Sequence, residues 1–166
     1  MHAFEIMNGD TSKGGFDDYN PRVYDDFLSV GKMIYCIGAD DNHNPYPSDS
    51  VRSDSGVAFT MIKAEALNYN AVATAMKKGH FYASEGPEIH ELWIEDNLIN
   101  IRTSLAEQLF MTFDTRSNWA VFRETELTEV SFVIPKEASW FRITVVDEKG
   151  RHACTNAYPL HGTEHI

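Results

Sequence analysis

The run Gly38-Ala39-Asp40-Asp41-Asn42-His43-Asn44 follows directly on an apolar stretch, Met33-Ile34-Tyr35-Cys36-Ile37. In extended backbone, residues i and i+2 point the same way. Asp41 and His43 therefore reach one point beyond the end of that stretch. A carboxylate oxygen and an imidazole nitrogen at one point suit zinc, manganese or iron. Asp40 faces the other way, where it is placed to orient His43 through the free ring N–H. Taken alone, an Asp-x-His on a polar loop is also what a solvated turn looks like, with Asp40 and Asp41 capping local N–H groups. Two ligands leave a tetrahedral site half filled.

Other residues offer less. Arg52 lies in the same polar loop and could pair with a phosphate, although an exposed surface arginine is the commoner case. Glu5 projects from an apolar segment, where a carboxylate needs a partner; together with Asn8 it is a candidate for lining a site. His80 and His90 fall in expected strands, and His161 and His165 fall in the terminal tail, where ordinary surface histidine is the better reading. Ser84 has no base at a readable spacing, which argues against a serine nucleophile. Cys36 and Cys154 form no CxxC pair and no disulfide framework, and Cys36 reads as small buried filler.

The first half alternates strand and helix patterns. Ala3 to Met7 reads as a strand, and Asn8 to Tyr19 as a loop rich in glycine and aspartate. Asn20-Pro21 starts a helix, with asparagine as N-cap and proline at the first helical position. Val23, Phe27 and Val30 fall on one face of it, and Gly31 closes it. Lys32 to Ile37 reads as a parallel strand covered on both faces. Gly38 to Gly56 is a long loop of the kind that is functional or mobile. Val57 to Lys63 is a third strand. Asn68 caps a helix that places Val72 and Met76 inward and ends at Gly79, and His80 to Ala83 is a fourth strand. From Gly86 the pattern becomes strands and turns. Glu95-Asp96-Asn97 makes a hairpin between Ile89–Ile94 and Leu98–Arg102. Leu109–Phe113, Trp119–Arg123, Val130–Ile134, Trp140–Val146 and Arg151–Asn156 follow, which suggests a small antiparallel sandwich. The expected division is 1–85 and 86–166.

Composition limits the partners. Lysine and arginine number 14, aspartate and glutamate 25, for a net charge of −11. Such a surface repels polyphosphate, which argues against nucleic-acid binding. A hydrophobic share of 43% is enough for a core. The start, Met1-His2-Ala3-Phe4-Glu5, has no basic region followed by an apolar run, so no signal peptide is expected. No stretch approaches the ~20 apolar residues of a membrane span. A cytoplasmic location without membrane association is the corresponding expectation.

Several segments together resemble the PHP (polymerase and histidinol phosphatase) family. Glu5-Ile6-Met7-Asn8 is similar to that family's "EvyN" strand. A capped helix follows, then an apolar strand ending in Gly-x-Asp-Asp-x-His, then Ile62-Lys63-Ala64. Lys78-Gly79-His80-Phe81-Tyr82-Ala83-Ser84-Glu85-Gly86-Pro87 is similar to the family's "GhFYaSxGP" segment. Phe141-Arg142-Ile143 and Thr155-Asn156-Ala157-Tyr158 resemble a β-rich extension of one branch. The resemblance implies part of a distorted α/β barrel followed by a β-rich domain, and metal-dependent hydrolysis of small phosphate esters by activated water. It implies Asp41 and His43 as two metal ligands, beside which Asp40, Glu5 and Asn8 remain candidates to line the site and Arg52 a candidate for a phosphate.

The chain departs from the family in having no His-x-His and in lacking the family's middle histidine, which usually stands next to a proline before the "EvyN" strand. His2 sits too close to that strand to replace it. Divalent metal is therefore expected to bind weakly or not at all, and the chain to be inactive alone. A missing half-barrel would leave the Ala3–Met7 edge open, so a homodimer near Phe4 and Ile6, or a partner supplying the missing half, is expected. The alternative is a non-catalytic binding or assembly module built on the β-rich part.

Overall fold

A computed structural model describes residues 2–114 and 117–160, and the chain divides into two units between Glu85 and Gly86. In the first unit, β1 (Ala3–Asn8) pairs in parallel with β2 (Tyr35–Ala39), from Ala3 opposite Tyr35 to Asn8 opposite Ala39. The other edge of β1 is partly closed by the chain itself. Asn20 N–H donates to the Ile6 carbonyl at 2.8 Å, and Asn8 N–H to the Asp18 carbonyl at 3.0 Å. Ile6 is buried, and Phe4 packs against Tyr24 and Phe27 at ring-centre distances of 6.1 and 5.9 Å. Phe4 therefore faces its own helix, and Ile6 is enclosed.

The segment expected to be all loop contains a short helix, α1 (Gly9–Lys13). Asn8 caps it, accepting from Thr11 N–H at 2.9 Å. Five residues carry no apolar period, which is why the pattern hid it. The next helix, α2 (Pro21–Ser29), starts at Asn20-Pro21. Its inward face is turned from the expected one. Tyr24 and Leu28 are buried, while Val23 and Val30 are exposed. Tyr24 holds that rotation, because its hydroxyl donates to the Ile34 carbonyl at 2.9 Å.

β3 (Phe59–Ile62) and β4 (Phe81–Ser84) pair antiparallel, with α3 (Tyr69–Lys78) between them in sequence. Asn68 caps α3 through Ala71 N–H, and Gly79 ends it with a left-handed φ of 75°. Ala75 is the buried residue of α3, with Val72 and Met76 half-buried.

This unit does not form the expected distorted α/β barrel. Of the described residues, 40% are strand and 15% helix, with three short helices and mainly antiparallel sheets among them. Between β2 and β3 the contact is made differently from a ladder. Thr60 Oγ1 accepts from Gly38 N–H at 3.1 Å and donates to the Gly38 carbonyl at 2.8 Å, so one side chain occupies both backbone groups. Only glycine fits there, since a Cβ on Gly38 would stand 2.8 Å from the Phe59 carbonyl oxygen. The strand–helix alternation was compatible with a parallel sheet, but hydroxyl-mediated contact and an antiparallel β3–β4 pair replace it.

The second unit holds two antiparallel sheets. β5 (Ile89–Glu95), β6 (Leu98–Thr103) and β9 (Glu129–Val133) pair in that order. Asp96 and Asn97, with φ of 50° and 64°, form the two-residue turn between β5 and β6. β10 (Trp140–Val146) lies between β11 (His152–Thr155) and β7 (Gln108–Phe113), and β8 (Ser117–Phe122) pairs with β7. β12 (Tyr158–Pro159) adds to the start of β10. Ile99, Ile101, Leu109, Met111, Ile143 and Val145 are fully buried, at alternate positions of β6, β7 and β10. Burying both sheets' apolar faces is the main source of this unit's stability, at roughly 25 cal/mol per Å². Cys36 and Cys154 are both buried thiols outside any disulfide. Among the described residues no helix is long and apolar enough to cross a membrane.

Candidate metal centre

Because β1 and β2 run in parallel, their C-terminal ends lie side by side. β1 leads through Asn8 into α1, whose first turn carries Asp10. β2 leads into the loop of Asp40 to His43. The two ends are joined by Asp10 N–H donating to the Asp40 carbonyl at 2.8 Å. The close approach depends on Gly9, where a Cβ would lie 2.9 Å from Val57 Cβ and 3.2 Å from Asp40 Cα.

Asp40 does not orient His43. Its carboxylate accepts from Val57 and Ala58 N–H at 2.6 and 2.9 Å through one oxygen and from Gly56 N–H at 2.6 Å through the other. It pins the return of the loop onto β3. Asp41 has a φ of 52°, so the backbone is not extended there and the alternation that paired Asp41 with His43 is broken. Its carboxylate accepts from Asn8 Nδ2 at 3.3 Å.

His43 instead meets two other carboxylates. Its backbone N–H donates to Asp54 Oδ2 at 2.7 Å. Its Nδ1 stands 3.9 Å from Asp10 Oδ2. One ligand atom each from Asp10, His43 and Asp54 lies within 4.8 Å of the others. Asp54 is 1% exposed, and its Oδ1 has no hydrogen-bond partner among the described residues. A buried carboxylate oxygen without a donor costs about 1–3 kcal/mol unless something satisfies it. His43 and Asp10 are more open, with side chains 64% and 45% exposed.

The loop is organised by its own polar side chains. Asn42 Nδ2 donates to Ser55 Oγ, Asn44 N–H to Asn42 Oδ1 at 2.7 Å, and Ser55 N–H to Ser53 Oγ at 3.1 Å. Arg52 is spent locally, its guanidinium 4.4 Å from the centre of the Tyr46 ring. Glu5 is exposed on β1. Asn8 serves as the α1 cap and touches Asp41. His80 and His90 are both exposed, and His90 stands 3.9 Å from Glu88. His161 and His165 lie outside the described residues. Elsewhere in the unit, burial and then the neighbouring Glu85 carboxylate push the Asp18 carboxyl above its ordinary range.

Asp10 and Asp54 are not among the ligands expected from the sequence. The first had a usable signal, since it follows a second strand end in the same parallel pair. Asp54 had none, because Ser53-Asp54-Ser55 reads as an ordinary solvated loop. No protein-family model, no curated protein and no solved structure matches this chain.

Proposed function

We propose that Asp10, His43 and Asp54 hold a divalent cation and that the ion serves hydrolysis of a small phosphate ester. The observation that carries this is the buried Asp54 carboxylate, whose Oδ1 has no donor among the described residues and which offers one oxygen within 4.8 Å of ligand atoms of Asp10 and His43. Two carboxylates and an imidazole suit zinc, manganese or iron. Three protein ligands with an open position are the arrangement of catalytic zinc sites, where the ion lowers the pKa of a bound water and polarises a phosphoryl oxygen. Asp54 is the rigid member, and its link to the His43 backbone brings the imidazole to it. Asp10 completes the set from the start of α1. The half-exposed Asp10 and His43 make weak binding the expectation. The similarity of the flanking segments to PHP phosphoesterases supports the reaction class, although the His-x-His of that family is missing.

Calorimetric titration with manganese and with zinc tests the site, beside a phosphate-monoester assay in the same buffers. One ion per chain is expected, with affinity reduced about a hundredfold or more in Asp54→Asn, since even outer-shell losses at metal sites cost ~10–100-fold. Metal-dependent hydrolysis should fall to the metal-free rate in that variant. Stoichiometric binding with no hydrolysis would reject the esterase reading and leave a binding site. Absence of binding would reject both.

A second reading, an assembly module, has one specific support. β8 pairs with β7, and it exposes Trp119 and Phe122, at 39% and 60%. An edge strand with exposed aromatics favours self-association. Sedimentation of the chain beside Phe122→Lys distinguishes this, since a shift from dimer to monomer is its expected outcome.

A further inference from the structure

The other end of β3 carries a different kind of site. A cleft of about 310 Å³ opens beside Lys63, Glu65, Asn70, Thr74, Lys78 and His80. Asn70, Thr74 and Lys78 are spaced i, i+4 and i+8 on α3 and therefore share one helix face. Lys63 follows β3 and His80 precedes β4, and they are joined by Lys63 N–H donating to the His80 carbonyl at 2.9 Å. The small side chain of Ala75 is also part of the wall, which leaves room for a ligand over the helix.

Its charge sets the cleft apart. The chain has 25 acidic residues against 14 lysines and arginines. Yet Lys63, Lys78 and His80 have no ion pair or side-chain hydrogen bond among the described residues. Lys78 also sits in the last turn of α3, where a cation is favoured by the helix dipole. That accounts for Lys78 but not for Lys63 or His80 on the facing segments. Glu65 is the single carboxylate on the lining. In a field of net negative charge, unpaired cations gathered at one concavity are the condition for holding an anion.

We propose that this cleft binds a small ligand through a phosphate group, away from the Asp10–His43–Asp54 cluster. The Lys63 and Lys78 ammonium groups match a phosphate dianion. The Thr74 hydroxyl, the Asn70 amide and the His80 ring can supply hydrogen bonds to its oxygens. The volume is at the small end for ligand pockets, and it suits a small phosphorylated metabolite. The two sites lie at opposite ends of β3, roughly 13 Å apart for four residues of strand. The proposal does not depend on metal binding at the first site.

The test is a two-dimensional amide NMR titration of the chain in EDTA, with inorganic phosphate as the probe and sodium chloride at matched ionic strength as the control. Saturable shifts are expected at Lys63, Asn70, Thr74, Lys78 and His80, with affinity about tenfold lower in Lys63→Ala/Lys78→Ala. The same spectra report whether that variant is folded. If it is not, the charge-reversing but size-conserving Lys63→Glu single variant carries the comparison. Equal shifts with chloride, shifts confined to residues 40–58, equal affinity for citrate, or unchanged affinity in the folded variant would each overturn the proposal.

Discussion

Two buried carboxylates, one in each unit, are used in opposite ways. Asp147 closes the turn between β10 and β11. Its Oδ1 accepts from Lys149 and Arg151 N–H, both at 2.9 Å, and its Oδ2 from Arg151 Nε at 2.8 Å and Nη2 at 2.7 Å. Burial works to raise its pKa, but these bonds outweigh burial and hold the carboxyl below the ordinary 3.8. Asp54, in the 40–58 loop, is more deeply buried, yet one oxygen is left without a donor. A carboxylate that saturates itself locally has no capacity for a ligand. One that does not is either a cost to the fold or a place for a cation.

Removing each carboxylate separates these roles. Asp147→Ala should lower the stability of the second unit by about 3 kcal/mol, because it leaves charged and backbone donors without an acceptor. Urea unfolding followed by tryptophan fluorescence reads this, since Trp93, Trp119 and Trp140 all belong to the second unit. A loss below about 0.5 kcal/mol would show that water replaces the carboxylate fully. Asp54→Asn should behave the other way in metal-free buffer. Its amide removes the charge at the unsatisfied oxygen, so stability should change by less than about 1 kcal/mol, and added manganese should raise the thermal midpoint of the parent chain only. A large loss of metal-free stability would make Asp54 a purely structural residue.

Acid sharpens the same contrast. The Asp147 carboxyl has a folded pKa below its unfolded value. Its contribution is therefore complete above about pH 3.8 and is lost as pH falls through the lower, folded value. Asp18 has the opposite sign. Its folded pKa is raised, chiefly by burial and then by Glu85, so the first unit loses stability as pH rises through that raised value. Asp18→Asn should remove that slope, the smallest effect of the series, visible as a flatter midpoint-against-pH profile above pH 3.8 for the first unit.

Local chemistry was well marked in the sequence. Asn20, Asn68 and Gly79 set helix ends, and Asp96-Asn97 sets a hairpin, because each acts through groups within a few residues. The helix face of α2 was not fully readable, since a single Tyr24 hydroxyl bond to Ile34 turns Val23 and Val30 outward while Phe27 keeps its inward contact with Phe4. The barrel failed for a related reason. A strand–helix–strand pattern does not reveal that Thr60 will occupy the backbone of Gly38 or that β3 will pair antiparallel with β4. In the site, His43 stood out from its neighbours. Asp10 and Asp54 reach it only through folding, and the left-handed backbone at Asp41 removed the carboxylate that strand spacing had favoured.

The two cysteines have a consequence for experiment. Cys36 is in β2 and Cys154 in β11, one per unit, and neither exposes any surface. A thiol reagent can reach either sulfur only when its own unit opens. The reaction of each should therefore follow the opening equilibrium of that half, at a rate set by how often the strand separates and how fast the reagent attacks. Mass-resolved labelling would then time the two openings side by side in one tube, with no engineered probe. Coincident rates would mean the halves open as one event, and divergent rates would give each its own clock.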